Sequence, residues 1–383
     1  MRVLLNCSTL VKGGALQAAY SFIEQAADAK DGMEWSFVLS AQLYGQVKNL
    51  LKDKDLKFEV INNSPALNRG SRSRLAAIEN NFRPGVVFTF FGPAYVNFKA
   101  LHLCGFANPW VTHSGRLAFS CLPLAERFVS MPLSCLYRAY WIRKADAWIV
   151  EAEVARRGMK RRLLLPNDRI DVVPNNCGQH YLSDNASSNF PADGEKIRIL
   201  TLSAYYRHKN LEIVPEAARH LWEKLPGMEF EFVLTLPPDS TEWDVIKKKA
   251  LKLGVSGHVN NIGPVDVAAG PALYRQCHIV FLPSLLETFS ANYPEAMASA
   301  RPIVTTKLPF ATDVCRDAAE YYNPADAADA ANAFVKIIKN KELWERLVAK
   351  GRDVLSTLPT PKEKYLLYRN AIERLCRQKW KGP

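Results

Sequence analysis

At 383 residues the chain is too long for one typical domain and calls for two of about 150 to 200 residues each. Its 48% hydrophobic and 23% charged residues are those of an ordinary soluble globular protein with apolar material for two cores, and the absence of any run of about 18 apolar residues excludes a membrane-spanning segment. The net charge of +12 asks for an anionic partner, and nucleic acid, an anionic membrane face and phosphorylated substrates all satisfy it.

Residues 1–11 (MRVLLNCSTLV) open on a basic residue and predict a strand over 2–6 rather than a secretory signal. The eight cysteines are scattered, with no C-x-x-C and no Cys/His cluster at metal spacing, so they read as free thiols in a reducing compartment. The expectation is a cytoplasmic protein with no resident metal. The loop over 8–14 (STLVKGG) carries Gly13 and Gly14 ahead of a helix over about 15–27, and a glycine pair there lets backbone approach a ligand closely. Strands are predicted over 35–40, 58–61 and 86–91, with a helix over 42–53, which is the alternation of a doubly wound parallel sheet. The only D-x-D, Asp53-Lys54-Asp55, lies in a lysine-rich stretch and reads as a solvated helix end. Residues 108–115 (NPWVTHSG) predict a loop, with His102 and His113 near it, where carboxyl ends of strands should gather and ligands bind.

Residues 117–144 are apolar, aromatic and basic together. Leu136, Tyr137, Tyr140 and Trp141 alternate with Arg138 and Arg143 at helical spacing, as in a buried helix pair with a solvated edge or a surface that rests on a membrane. Strands over 146–150 and 170–173 follow. Residues 183–195 (SDNASSNFPADGE) form the clearest linker. The second half repeats the grammar: strands over 197–203, 229–236, 259–262, 278–282 and 302–305, helices over 211–224, 241–253 and 267–275, a helical stretch over 325–357 and a last helix over about 362–379. Neither half carries G-x-G-x-x-G or a P-loop, which argues against nicotinamide, flavin and kinase-type ATP binding.

One stretch organises the chain. After the apolar run 278–282 come a loop over 284–288 and a helix that starts between Ser290 and Pro294, since Ser and Asn cap well and Pro is tolerated in a first turn. A strand, a loop and a helix N-terminus can hold an anion. Glu287 and Glu295 flank that place.

The context Pro283, Ser284, Glu287, Phe289, Glu295, Ala296, Met297, Ala298 resembles the two-glutamate signature of the retaining glycosyltransferases of the GT-B fold, family 4, the group 1 glycosyltransferases. Lys209-Asn210, Gly263-Pro264-Val265 with Leu273-Tyr274, and Pro174-Asn175-Asn176 fall in the family's order. The resemblance is strong over about 171–320 and looser before. It implies an α/β GT-B fold, with two Rossmann-like doubly wound domains facing across a cleft. Residues 1–182 would bind the acceptor, a helix over about 362–383 would pack back on that domain, and 183–361 would bind a nucleotide-sugar.

The implied chemistry is transfer of a hexose from a UDP- or GDP-sugar, with no cofactor and no metal. Lys209 would neutralise the leaving diphosphate, and the amides of Thr288, Phe289, Ser290 and Ala291 would cradle it. Glu295 would bind the ribose hydroxyls, and Glu287 would contact the sugar near its anomeric carbon. Gly13 and Gly14 match the family's loop under the donor phosphates, and a histidine, His113 or His102, would touch the donor sugar. The sequence departs from the family at Ser203-Ala204-Tyr205, where an arginine is usual, so that Arg207 is the residue left to supply that charge. It departs again at Thr288 and Ser290, which stand where relatives carry glycine. A saccharide acceptor on a lipid carrier, in lipopolysaccharide, O-antigen or other surface-polysaccharide assembly, suits the basic first half. That half would then rest on the inner face of the cell membrane as a peripheral protein. The alternatives are a sugar-nucleotide epimerase or phosphorylase on the same fold, a transferase acting on a soluble small molecule, or a basic nucleic-acid-binding protein, for which the recognisable motifs are absent.

Overall fold

Seven short strands of the first unit, Arg2–Cys7 (β1), Glu34–Ser40 (β2), Lys57–Ile61 (β3), Val86–Thr89 (β4), Leu101–Gly105 (β5), Ala147–Val150 (β6) and Ile170–Val172 (β7), pair in parallel in the order β3-β2-β1-β4-β5-β6-β7. The computed structural model describes residues 1–11, 13–182 and 190–379. Strands inside the sheet are mostly apolar because helices cover both faces, and β4 and β6 are buried at every position. The edge strand β3 alternates instead, and exposes Lys57 and Glu59. Helix Gly14–Asp28 turns Leu16, Ala19, Phe22, Ile23 and Ala26 inward at helical spacing, and Phe22 meets Phe88 of β4 edge-on at 5.6 Å.

The last helix, Pro361–Lys379, belongs to this unit. Thr360 and Glu363 close a capping box at its start, where Glu363 N donates to the Thr360 hydroxyl (3.3 Å) and Thr360 N to the Glu363 carboxylate (2.8 Å). Tyr365, Tyr368, Ala371, Ile372 and Leu375 then join the core of β1 and β4, with the Tyr368 ring 5.4 Å from Phe88. Lys364 donates to Asn175 Oδ1 (2.5 Å), and burial pulls its ammonium down to about 8 against the opposing charge of Glu151.

The second unit carries Ile197–Thr201 (β8), Phe230–Leu234 (β9), Val259–Asn261 (β10), Ile279–Leu282 (β11), Ile303–Thr306 (β12) and Ala319–Tyr322 (β13), all parallel, in the order β10-β9-β8-β11-β12-β13. Its core gathers Ile199, Phe230, Phe232, Phe281 and Val304 with Phe334 and Trp344 from the covering helices. By its internal contacts the chain divides between Asn175 and Asn176, earlier than the expected 182, and returns to the first unit at Pro359. Residues 115–123 group with the second unit. Most of the expected linker, 183–189, lies outside the described residues.

Several elements differ from the sequence reading. The strand predicted over 86–91 ends at Thr89. The helical stretch 325–357 is two helices, Ala327–Ile338 and Lys341–Ser356, because Asn340 leaves the helix and caps the second one through Leu343 N (2.8 Å). Helix Arg69–Phe82, strand β5, helix Pro309–Cys315 and strand β13 were not expected. His102 lies inside β5, 4% exposed, bonded to Thr89 Oγ1 (2.8 Å), and burial holds its imidazole down to about 3. It is a core residue near the amino end of β5 and not one of the groups gathered at the carboxyl ends of the strands. Residues 117–144 do not form a buried helix pair: helix Met131–Ile142 buries Ile142 alone, and Leu133, Leu136 and Tyr140 are exposed.

Candidate functional site

Strand order in the second sheet reverses between β8 and β11, since β9 continues one way and β12 the other. At such a switch point the loops leaving two adjacent carboxyl ends diverge and open a crevice, where open α/β sheets take ligands. The residues singled out in the second half of the sequence come from these two loops. After β8 a three-residue turn, Arg207–Lys209, ends at Asn210, whose left-handed φ of 55° asparagine tolerates. After β11 the chain runs through Ser284, Glu287 and Thr288 to helix Asn292–Ala298. The backbones are joined directly, with Leu285 N donating to the His208 carbonyl at 2.7 Å.

That bond sets Lys209 against Glu287. The Lys209 ammonium forms an ion pair with Glu287 Oε1, and the Ser284 hydroxyl donates to the same oxygen at 3.0 Å. The side chains are 15% and 11% exposed, so each charge depends on the other for compensation. His208 lies within the field of both: burial pulls its pKa below the ordinary value, Glu287 opposes and Lys209 adds to the depression.

Glu295 has a different setting. It sits in the first turn of helix Asn292–Ala298, and its partners are side chains rather than a helix amide. The Tyr274 phenol donates to Oε2 (3.0 Å) and the Asn292 amide to the same atom (3.3 Å). Asn292 Nδ2 also donates to the Leu202 carbonyl at the end of β8 (3.0 Å), which fixes the amide's orientation. Burial pushes Glu295 up to about 7, against the pull of Tyr274, Lys209 and Asn292. Behind Tyr274 stands Tyr181, edge-on at 5.6 Å. The Tyr181 hydroxyl occupies the space a side chain at Gly270 would need, since a Cβ there would lie 2.1 Å from it. The arrangement is therefore a paired cation and anion beside a second carboxyl poised to hold or release a proton near neutrality.

The structure brings Lys209, Glu287 and Glu295 together within the second unit, and Thr288, Phe289, Ser290 and Ala291 form the turn between the two acids. Thr288 and Ser290 are buried. Arg207 is exposed, and its charge acts on the Tyr205 phenol. Gly13, Gly14 and His113 belong to the first unit. Gly13 has φ 74° and caps helix Gly14–Asp28 at the β1/β4 switch point, and a Cβ on either glycine would meet nothing within 4 Å. Lys12 lies outside the described residues. His113 follows the short helix Pro109–Thr112 and is part-buried. Thr112 Oγ1 donates to the Asn108 carbonyl (3.2 Å), so its 2.7 Å bond to His113 Nδ1 places the imidazole proton on Nδ1. His208 and Tyr181 were not foreseen as parts of a site, and their only sequence signal was nearness to Lys209 and to Asn176. Ser284 was read as part of the two-glutamate context but not as a hydrogen-bond donor to Glu287.

Residues 183–354 match the family model described as glycosyl transferases group 1. A phosphatidyl-myo-inositol mannosyltransferase of Mycobacterium leprae (strain TN) is 28% identical over 222 residues, which make up 56% of this chain and 56% of that protein. The chain thus spans about half the length of the curated relatives it matches. Among solved structures, Anabaena Alr3699/HepE in complex with UDP and glucose superposes with a TM-score of 0.68 at 15% identity, covering 98% of this chain and 99% of that one. The apo lipopolysaccharide outer core galactosyltransferase WaaB gives 0.65 at 13% identity, with 98% and 99% covered. The matched segment contains Lys209, Glu287 and Glu295 and is similar to the group 1 glycosyltransferases, and the two parallel Rossmann-like sheets have the GT-B fold of these structures.

Proposed function

We propose that this protein is a retaining, metal-independent glycosyltransferase that moves a hexose from a UDP- or GDP-sugar to a saccharide acceptor. The observation that carries the reading is the enclosed Lys209–Glu287 pair at the switch point of the second sheet, with Glu295 beside it. The bond from the anomeric carbon to the diphosphate breaks, and negative charge grows on the leaving phosphate. Lys209 is the fixed cation that meets it, and a preorganised cation in an enclosed site is worth far more than one in water. The Thr288–Ala291 turn supplies amides, and Arg207 adds charge at the rim. Glu295 holds the ribose hydroxyls, and Glu287, held in place by Lys209 and Ser284, orients the sugar. The acceptor oxygen attacks from the face the phosphate leaves, and its proton goes to that phosphate, so no carboxylate nucleophile is required. In the first unit, the open Gly13-Gly14 turn and His113 are the groups assigned to ligand contact.

The test is turnover of purified protein on UDP- and GDP-sugars in the presence of EDTA. Wild type is expected to release nucleotide, and Glu287→Ala to lose at least about 100-fold in kcat. Normal turnover by that variant, or turnover that EDTA abolishes, contradicts the reading.

The proposed acceptor is lipid-linked, in lipopolysaccharide, O-antigen or other surface-polysaccharide assembly, and the protein works peripherally on the inner face of the cell membrane. Its support is the exposed apolar face of Leu124, Phe128, Leu133, Leu136 and Tyr140, with Arg127 near the Phe128 ring (5.9 Å) and Lys144 near that of Tyr140 (4.9 Å). Apolar side chains ringed by cations suit an anionic bilayer surface. Flotation with vesicles containing phosphatidylglycerol is expected to carry wild type and to leave Phe128→Glu/Leu136→Glu behind. Equal flotation of both proteins, or none of wild type, removes the membrane assignment.

A further inference from the structure

In a parallel sheet the amino ends of the strands form a rim opposite the ligand-binding one, and in the second unit that rim is strongly basic. A basin of about 390 Å³ opens there beside β8, β11 and β12. Lys196 and Arg198 come from the start of β8, Arg275 from the end of helix Gly270–Gln276, His278 from the entry to β11 and Arg301 from the entry to β12. We infer that this basin is a second ligand site, for a small soluble phosphoryl compound, at the end of the sheet away from Lys209 and Glu287.

The charge balance points to an anion. Glu195 is the one carboxylate among the described residues that line the basin, and Glu231 beside it is already engaged by Arg198 Nε (2.9 Å) and Lys196 Nζ (3.2 Å). Glu195 accepts from His278 Nε2 (3.2 Å), whose Nδ1 in turn accepts the Arg198 backbone N–H (3.0 Å). His278 is therefore a neutral imidazole that spends the Glu195 acceptor and adds no positive charge of its own. Arg275 and Arg301 bring two further guanidinium groups to the same hollow.

Arg301 is the residue that ordinary surface chemistry does not explain. It is 5% exposed, it reaches the Arg275 carbonyl through one NH2 group (3.4 Å), and its buried Nε has no hydrogen-bond partner. An orphaned buried donor costs about 1–3 kcal/mol, and a guanidinium fork is shaped for two oxygens of one phosphoryl group. Cations near the carboxyl ends of helices Gly270–Gln276 and Asn292–Ala298 do offset the helix dipoles. That effect gathers positive charge at the rim, but it does not account for a concave hollow lined by Arg301 or for the buried Nε of that residue having no partner. The volume lies in the range of small-ligand sites.

The test uses inorganic pyrophosphate as probe and the full chain carrying Lys209→Met/Glu287→Gln, so that the site at the other end of the sheet does not contribute. Calorimetric titration at constant ionic strength is expected to show saturable binding. Adding Arg198→Ala/Arg275→Ala, both exposed positions, is expected to weaken it at least about tenfold with the thermal midpoint retained. Adding Lys247→Ala/Lys248→Ala, two exposed lysines of helix Thr241–Lys252, is expected to leave it unchanged. Absence of saturable binding, binding unaffected by the rim pair, or an equal loss in the lysine control each overturns the inference.

Discussion

Lys209→Met is expected to lower kcat by about 100- to 1000-fold, the loss seen when one preorganised group facing developing charge is removed. The same substitution strands Glu287, 11% exposed on its side chain, without its cation. An uncompensated buried charge costs about 3–5 kcal/mol, so the single variant loses stability as well as rate. The two effects separate in Lys209→Met/Glu287→Gln, where an amide replaces the carboxylate and can still accept from Ser284 Oγ. The double variant is expected to recover most of the wild-type midpoint and to remain inactive. Recovery of turnover along with stability would mean that Lys209 serves the fold alone.

Glu295→Gln is expected to move in the opposite direction on stability. The Glu295 carboxyl is pushed from an ordinary 4.5 up to about 7 by burial. Between those values the folded protein holds a proton that the unfolded chain has released, so stability is present in full below pH 4.5 and is lost as pH rises through 7. Above pH 7 the folded state carries a buried charge whose cost is about 3 kcal/mol at most, from a shift of that size. Glutamine keeps an oxygen for Tyr274 and Asn292 and never ionises. Urea unfolding should therefore find the variant more stable than wild type by about 1–3 kcal/mol at pH 8, with a difference below about 1 kcal/mol at pH 5. In the proposed site the price is donor affinity, because an amide accepts less well from two ribose hydroxyls. A variant that is no more stable at pH 8, or whose advantage grows toward acid, contradicts this account of Glu295.

The strands legible in the sequence were those buried on both faces, such as Val86–Thr89 and Ile279–Leu282, because parallel strands under two layers of helix read as unbroken apolar runs. Leu101–Gly105 escaped because His102 interrupts its run, and the histidine is accommodated only by tertiary contact with Thr89. Helix Arg69–Phe82 escaped because its inner face holds Ser71 and Glu79 beside Leu75 and Phe82. The Glu79 carboxylate is satisfied by Lys99 N and Ala100 N (2.7 and 2.8 Å), partners that no local pattern announces. The site divides in the same way. Both glutamates and Lys209 could be picked from motif context, and Pro294 marked the helix start. The direct pairing of Lys209 with Glu287 could not be read, since it depends on the bond from Leu285 N to the His208 carbonyl between two loops distant in sequence. Nor could the Tyr181–Tyr274–Glu295 series, because it requires Gly270 to yield its side-chain space to a phenol from residue 181.

The proposed function requires that Lys209 and its neighbours at the second switch point receive a nucleoside diphosphate. Calorimetric titration of UDP and GDP into wild type and into Lys209→Met/Glu287→Gln tests it most directly. Wild type is expected to bind at least one of the two nucleotides, and the double variant, still folded, to bind it at least about tenfold more weakly. Equal affinity in the two proteins, or no binding of either nucleotide to wild type, would contradict it.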